Sequence, residues 1–327
     1  MSKAWKITIS IISSILGLIL IFLGVYYLWP WNKKFFENAS VEFEIPGLDT
    51  KFTPQGLTTI DGTDKFLVGG YMSDGSPSRF YVINEGKAEK YFTLTQDDQD
   101  YTGHAGGIVS YGSTIWVVGD KNCFRFFLSA VNSCENEAKV EIIDSFKVNN
   151  GADFVFTNDG YVYIGEFYRA GKYETSSTHF LKTRSGETNP ALVFGYKINE
   201  GKSLGLDEKT PSRALSIRGL VQGMAVSNGK ILMSCSYGLA DSALYVYKDV
   251  FSEAPHNPNF ALGNHTIKLW YLDDESLTNT INVPSMSEEI AIKNNRVYIL
   301  FESAGKKYKI FNRKQLKNVY SLSLDNL

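Results

Sequence analysis

Cysteine and proline are scarce in this chain, and neither sign of charge is in excess. Only three cysteines occur in 327 residues, a number that neither requires nor forbids export. Cys123 and Cys134 lie eleven residues apart across an expected hairpin and can pair, which leaves Cys235 over. Lys and Arg number 33 against 35 Asp and Glu, a net charge of −2. That balance argues against nucleic acid as a partner, because a phosphate backbone calls for a basic surface. Charged residues are 21% and apolar residues 43%, so the chain is not intrinsically disordered. There is no phosphate-binding Gly-rich loop, no Gly-x-Ser-x-Gly elbow and no His-Glu-x-x-His. Nine prolines stand against 21 Phe, 19 Tyr and 28 Gly, a mixture that leans towards β structure.

One long apolar run is present. Ile7 to Trp29 contains no charged residue, and about 20 apolar residues suffice to cross a bilayer as a helix. Tyr26, Tyr27, Trp29 and Trp31 cluster at its end, where aromatic rings favour the headgroup layer. Pro30 is expected to end the helix, and Lys33 and Lys34 follow. The run exceeds the apolar region of about 7–15 residues in a cleaved signal peptide. We therefore expect residues 1–34 to be a membrane anchor in the lipid bilayer and residues 35–327 to be a separate body. The four lysines of the anchor leave the body with 29 basic and 35 acidic residues, a charge of −6. Lysines flank the run on both sides. The short head is the easier end to keep inside, so the expectation is a single-pass cell-membrane protein with its C-terminal domain extracytoplasmic.

The body repeats. Pro54–Gly62, His104–Gly112, Ala152–Gly160, Val221–Gly229 and Ser287–Asn295 align without gaps. Each ends in Gly or Asn, the chemistry of hairpin turns that need φ > 0. Second strands follow at 66–68, 115–118, 162–164, 231–233 and 297–300, and aromatic-rich third strands at 79–83, 124–128, 191–196, 243–247 and 308–311. Fourth strands are expected at 90–94, 140–143 and 319–322. Four short strands per repeat make the blade of a β-propeller. The turns are 50, 48, 69 and 66 residues apart, against roughly 40–50 per blade. The wide gaps are read as insertions at 169–190 and 249–264. The expected fold is all-β, a five-bladed β-propeller behind a transmembrane helix. Six blades result if an insertion hides degenerate strands. The segment 40–45 alternates as a strand should and is expected to join the last blade and close the ring, which removes open edges.

The first strand of each blade lines the central channel, so Gln55, His104, Asp153, Gln222 and Glu288 are expected to converge on one mouth as a ligand-binding ring. Asp120, Glu166 and Glu302, after the second strands, form a second ring. Gly56, Gly106 and Gly223 are expected to keep the channel open. Alternation along a strand sends Glu288 into the channel. Glu289, in register with those glycines, has to find its own partner or reach solvent. Carboxylate and amide oxygens suit a hard cation such as Ca²⁺, with Asp153 and Glu288 as its ligands. His104 is the candidate catalytic acid or base. His179, His256 and His265 fall in or near the insertions, where a lone histidine is expected to be solvated.

Phe52-Thr-Pro-Gln-Gly-Leu57 followed by Gly69-Gly-Tyr71 resembles the opening of the glutamine cyclotransferase family. That resemblance implies a five-bladed propeller with Gln55 in the substrate pocket. The family's second repeat presents a catalytic Glu where this chain has Gly103-His-Ala-Gly-Gly107. Across about residues 50–312 the body is similar to a group of uncharacterised bacterial exported propeller proteins. The segments that carry the likeness are 54–57, 103–107, 221–224, 234–238 and 301–304. This likeness implies a fold and an exported address. The expected function is binding of a small molecule or an envelope protein at the channel mouth. The alternative is a metal-dependent hydrolase or transferase on the same site.

Overall fold

A computed structural model describes residues 3–29, 31–309 and 312–327. Pro30 lies outside the described residues. Helix α1 runs Lys3–Leu28, and Trp5–Tyr27 within it is long and apolar enough to cross a membrane, with none of that stretch buried in the protein. A short helix α2, Lys33–Asn38, packs Phe35 against Phe301 and Tyr320.

The body is a ring of five blades. Their inner strands are Phe52–Thr59, Gly107–Tyr111, Phe154–Asn158, Val221–Ser227 and Ser287–Lys293. Each inner strand packs against its two neighbours around the axis, the fifth against the first. The hairpin turns fall where the repeats place them. Gly62, Gly112, Gly160, Gly229 and Asn295 all have positive φ. Asp159, Asn228 and Asn294 ahead of three of them share it, as a type I′ turn requires. Each strand sends alternate side chains to both neighbouring blades, so the middle strands are buried on both faces. All six residues of Thr114–Gly119 are buried, and Trp116 donates its indole N–H to Leu204 O at 2.9 Å.

The N-terminal strand Ser40–Glu44 closes the ring by pairing antiparallel with Asn318–Ser323 of blade five. The third strand of that blade is therefore Asn318–Ser323, read from sequence as a fourth. Of the segment expected as the third, Tyr308 and Lys309 lie in a turn, and Ile310 and Phe311 are outside the described residues. A second strand moves to another blade. Ala138–Glu141, expected in blade two, pairs parallel with Lys87–Gln96 of blade one. A short helix α3, Leu128–Ser133, interrupts the path, and Val140 and Ile142 bury beside Phe80 and Phe92. Asp144–Lys147 completes blade two instead. The insertions make no sixth blade among the described residues. One holds a two-residue ladder, Leu181–Lys182 with Thr188–Asn189. The other supplies Asn257–Leu262, which with His265–Tyr271 extends blade three.

Cys123 and Cys134, whose pairing the sequence left open, are not bonded, and all three cysteines are free. Cys123 points from its strand into the core between blades two and three, while Cys134 packs on the core between blades one and two. Burial pushes the Cys123 thiol well up and the Cys235 thiol up to about 12. A thiol titration without reductant should find one accessible cysteine, Cys134, in the native chain and three after unfolding. Recovery of a single thiol after unfolding would restore the disulfide.

Candidate functional site

Three inner strands slip in register as they reach the channel mouth. The slips lie between Pro54 and Gly56, between Val221 and Gly223, and between Ser287 and Ile290. An extra residue at a bulge re-aims its side chain. The residues held in these slips are Gln55, Gln222 and the pair Glu288–Glu289. The last slip overturns simple alternation, because both glutamates are buried in the centre of the ring, at 2% and 1% exposed.

Glu289 has found its own partners. Its Oε2 accepts from the backbone N–H of Leu57 at 2.7 Å and of Ile108 at 2.9 Å, and its Oε1 from Val155 at 3.4 Å. One carboxyl of blade five thus ties the inner strands of blades one, two and three. Burial raises its pKa well above the usual range, and the three N–H donors oppose that rise. Of the glycines expected to hold a channel open, Gly56 and Gly223 make room for this glutamate and for Ile108, and Gly106 makes room for the Asp153 carbonyl at 2.5 Å; Gly107 beside it also faces Glu289. A Cβ on Gly107 would come within 2.8 Å of Glu289 Oε1, and one on Gly223 within 2.6 Å of Glu289 Cα.

Glu288 faces the other way, towards the mouth. Its Oε1 accepts from Gln222 Nε2 at 3.3 Å, and Glu302 Oε2 accepts from Gln55 Nε2 at 2.9 Å. The two carboxyls are close enough to repel each other, and that proximity disfavours a second charge on the pair. Burial comes first among the causes, and with mutual repulsion it raises Glu288 well above the usual range; burial pushes Glu302 up to about 7. The amides of two other blades, from Gln55 and Gln222, therefore hold a carboxyl pair that carries at most one charge near neutrality.

Asp153 sits elsewhere on the floor. Its Oδ2 accepts from Phe167 N–H at 2.7 Å, and burial, with Glu166 and Asp120 nearby, pushes its pKa up to about 6. Glu166 is occupied by His179, whose Nδ1 lies 2.6 Å from Glu166 Oε1, and by Leu192 N–H at 2.9 Å. His179 is buried, so the expectation of a solvated loop histidine is corrected. The insertion folds back over blade three, and the carboxylate replaces water. His256 is also engaged, accepting Tyr271 N–H at 2.9 Å on its Nδ1. His104 lies at the mouth with its ring stacked on Tyr71, centroids 4.8 Å apart. Desolvation of the ring lowers its pKa, opposed by Asp120, although the residue as a whole stays exposed at the mouth.

These groups line a cleft of about 930 Å³. Gln55, His104, Asp153, Gln222, Asp120, Glu166 and Glu302 all reach it, and Glu288 lies directly behind Gln222 and Glu302. Among the described residues, no group of three His, Cys, Asp or Glu is spaced to hold a metal ion. Asp153 and Glu288, the expected cation ligands, have separate partners. Sequence reasoning missed Tyr71, His179, Lys307 and Tyr308. Tyr71 lies near the end of the second strand of its blade, close to the positions of Asp120, Glu166 and Glu302 in theirs. His179 comes from an insertion, and Lys307 and Tyr308 from the turn after Phe301, where a strand is expected at 308–311.

No protein-family profile and no curated protein matches this chain. Several solved structures align with most of the chain at low identity. A luciferin-regenerating enzyme aligns at 11% identity with TM-score 0.45, over 86% of this chain and 94% of that one. Glutaminyl cyclase of Myxococcus xanthus aligns at 10% and 0.44, over 81% and 91%. BamB of Moraxella catarrhalis aligns at 9% and 0.35, over 82% of both.

Proposed function

We propose that the protein is a membrane-anchored, extracytoplasmic propeller that binds a small molecule bearing a basic nitrogen at its channel mouth. Residues 1–34 are the anchor and residues 35–327 the binding domain. One observation carries this reading: the cleft floor presents the buried carboxyl groups of Glu288 and Glu302 and the half-buried one of Asp153, with no ion-pair partner among the described residues. A buried carboxylate is costly unless a cation pairs with it. An ammonium group entering the cleft supplies that cation, and Tyr71 and Tyr308 line the way in. The bulk of the ligand fits within the 930 Å³ of the cleft.

A thermal melt with a panel of simple amines (ethanolamine, putrescine, glycinamide) tests this directly. At least one should raise the midpoint, since a ligand at about 100 times its Kd adds about 2.7 kcal/mol. Glu302→Gln should abolish the rise. If no amine shifts the midpoint, or if Glu302→Gln shifts equally, the reading is wrong.

The second reading, a hydrolase or transferase, draws on Asp153. A carboxyl with a pKa of about 6 is suited to move a proton near neutral pH. His104, its ring stacked on Tyr71, stands at the same mouth.

A further inference from the structure

The connection from Phe301 to Asn318 concentrates positive charge. Residues 303–317 contain Lys306, Lys307, Lys309, Arg313, Lys314 and Lys317 and no acidic residue. The rest of the body, 35–302 and 318–327, holds 23 basic against 35 acidic residues. A net-acidic body has therefore gathered a block of six cations in one loop.

The loop joins two places that matter. At one end it reaches the cleft, where Lys307 Nζ donates to Tyr71 Oη at 2.6 Å and Lys307 and Tyr308 line the opening. At the other end it grips the root of α1. The Arg313 guanidinium lies 4.4 Å over the Trp31 ring, and Lys314 Nζ lies 3.8 Å from the Phe36 ring centre and donates to Trp31 O at 3.1 Å. Arg313 is also paired with Asp241. Lys306, Lys309 and Lys317 are exposed and form no ion pair among the described residues. Lys34 on the root is exposed as well.

We propose that this loop is a docking surface for anionic phospholipid headgroups of the bilayer that holds α1, and that it sets the cleft mouth against the membrane surface. The proposal rests on the anchor reading above. Charge complementarity selects the lipid. Cations near an anionic leaflet are attracted within a Debye length of about 8 Å at physiological salt. Chain continuity selects the place, because Trp31 is three residues beyond the end of α1 at Leu28. A ligand would then enter the cleft from the headgroup layer.

The test uses the full chain inserted into preformed vesicles, with Gln315→Cys carrying a fluorophore in a Cys134→Ser background. Acrylamide, a neutral quencher, reports exposure of the loop. Quenching should fall roughly threefold on vesicles with about 30% phosphatidylglycerol relative to phosphatidylcholine alone. Salt at about 0.5 M should remove the difference, and so should Lys306→Gln, Lys309→Gln and Lys317→Gln combined. Equal quenching on both vesicles, or protection that survives loss of the three lysines, overturns the docking surface and leaves the anchor standing. Failure of the chain to float with phosphatidylcholine vesicles overturns the anchor, and this proposal with it.

Discussion

Glu289→Ala should cost the protein about 4 kcal/mol of unfolding free energy, the largest loss expected from any single side chain at the site. The substitution strips acceptors from the backbone N–H groups of Leu57, Ile108 and Val155. A buried donor left unsatisfied costs about 1–3 kcal/mol, and the vacated volume adds to it. Removal of the buried carboxyl's own desolvation offsets part of the sum. Glu289→Gln keeps one carbonyl oxygen and should lose about half as much. Urea unfolding of the full chain in detergent, with the slope held constant between variants, measures both. A midpoint for Glu289→Ala within about 0.5 kcal/mol of wild type would mean that the three strands do not depend on this glutamate.

Stability should fall as pH rises from about 4.5 to about 7, opposite to the acid lability of most proteins. Glu302 is the reason. Its folded pKa lies near 7, above the ordinary 4.5 of an unfolded glutamate. Between these values the folded chain keeps a proton that the unfolded chain has released, so each step upward in pH favours unfolding. A shift of that size corresponds to about 3 kcal/mol, at about 1.4 kcal/mol per pH unit. Asp153, raised from 3.8 to about 6 by burial, acts with the same sign over a lower window. The decline should level off above the folded pKa values. In Glu302→Gln the slope between about pH 6 and 7 should flatten. A stabilising amine should bring back at about pH 8 what the empty cleft has lost, because it pairs with the ionised carboxyls. Stability that climbs through this window, or an unchanged slope in Glu302→Gln, would show that no proton is held at the floor.

Much of the architecture was legible because its signals are local. A hairpin turn needs positive φ, and Asp159-Gly160, Asn228-Gly229 and Asn294-Asn295 supply it at the same offset in three repeats. Ring closure by Ser40–Glu44 followed from alternation and from the cost of an unpaired edge. The outer strands were less legible. Val140 reads equally well as the edge of blade two or of blade one, and only the bulk of Phe80 and Phe92 across the gap decides between them. Whether Cys123 and Cys134 pair was open for a similar reason. Eleven residues of spacing do not say where each thiol packs: Cys123 lies in the core between blades two and three, and Cys134, at the end of α3, against the core between blades one and two.

At the site, the sequence alone determined which positions meet: a repeated offset placed Gln55, Asp153, Gln222 and Glu288 around one axis, and any closed ring must bring them together. Only the tertiary structure decided what each one does there. Three slips of register turn Gln55, Gln222 and both glutamates inward, and a slip depends on the strand opposite, which sequence periodicity does not contain. Glu288 and Glu289 are adjacent in the chain and of the same type. One meets a second carboxyl that disfavours its charge, and the other meets three backbone N–H groups and becomes a strut. The difference arises from partners 14 to more than 200 residues away, brought into reach only when the fifth blade closes against the first.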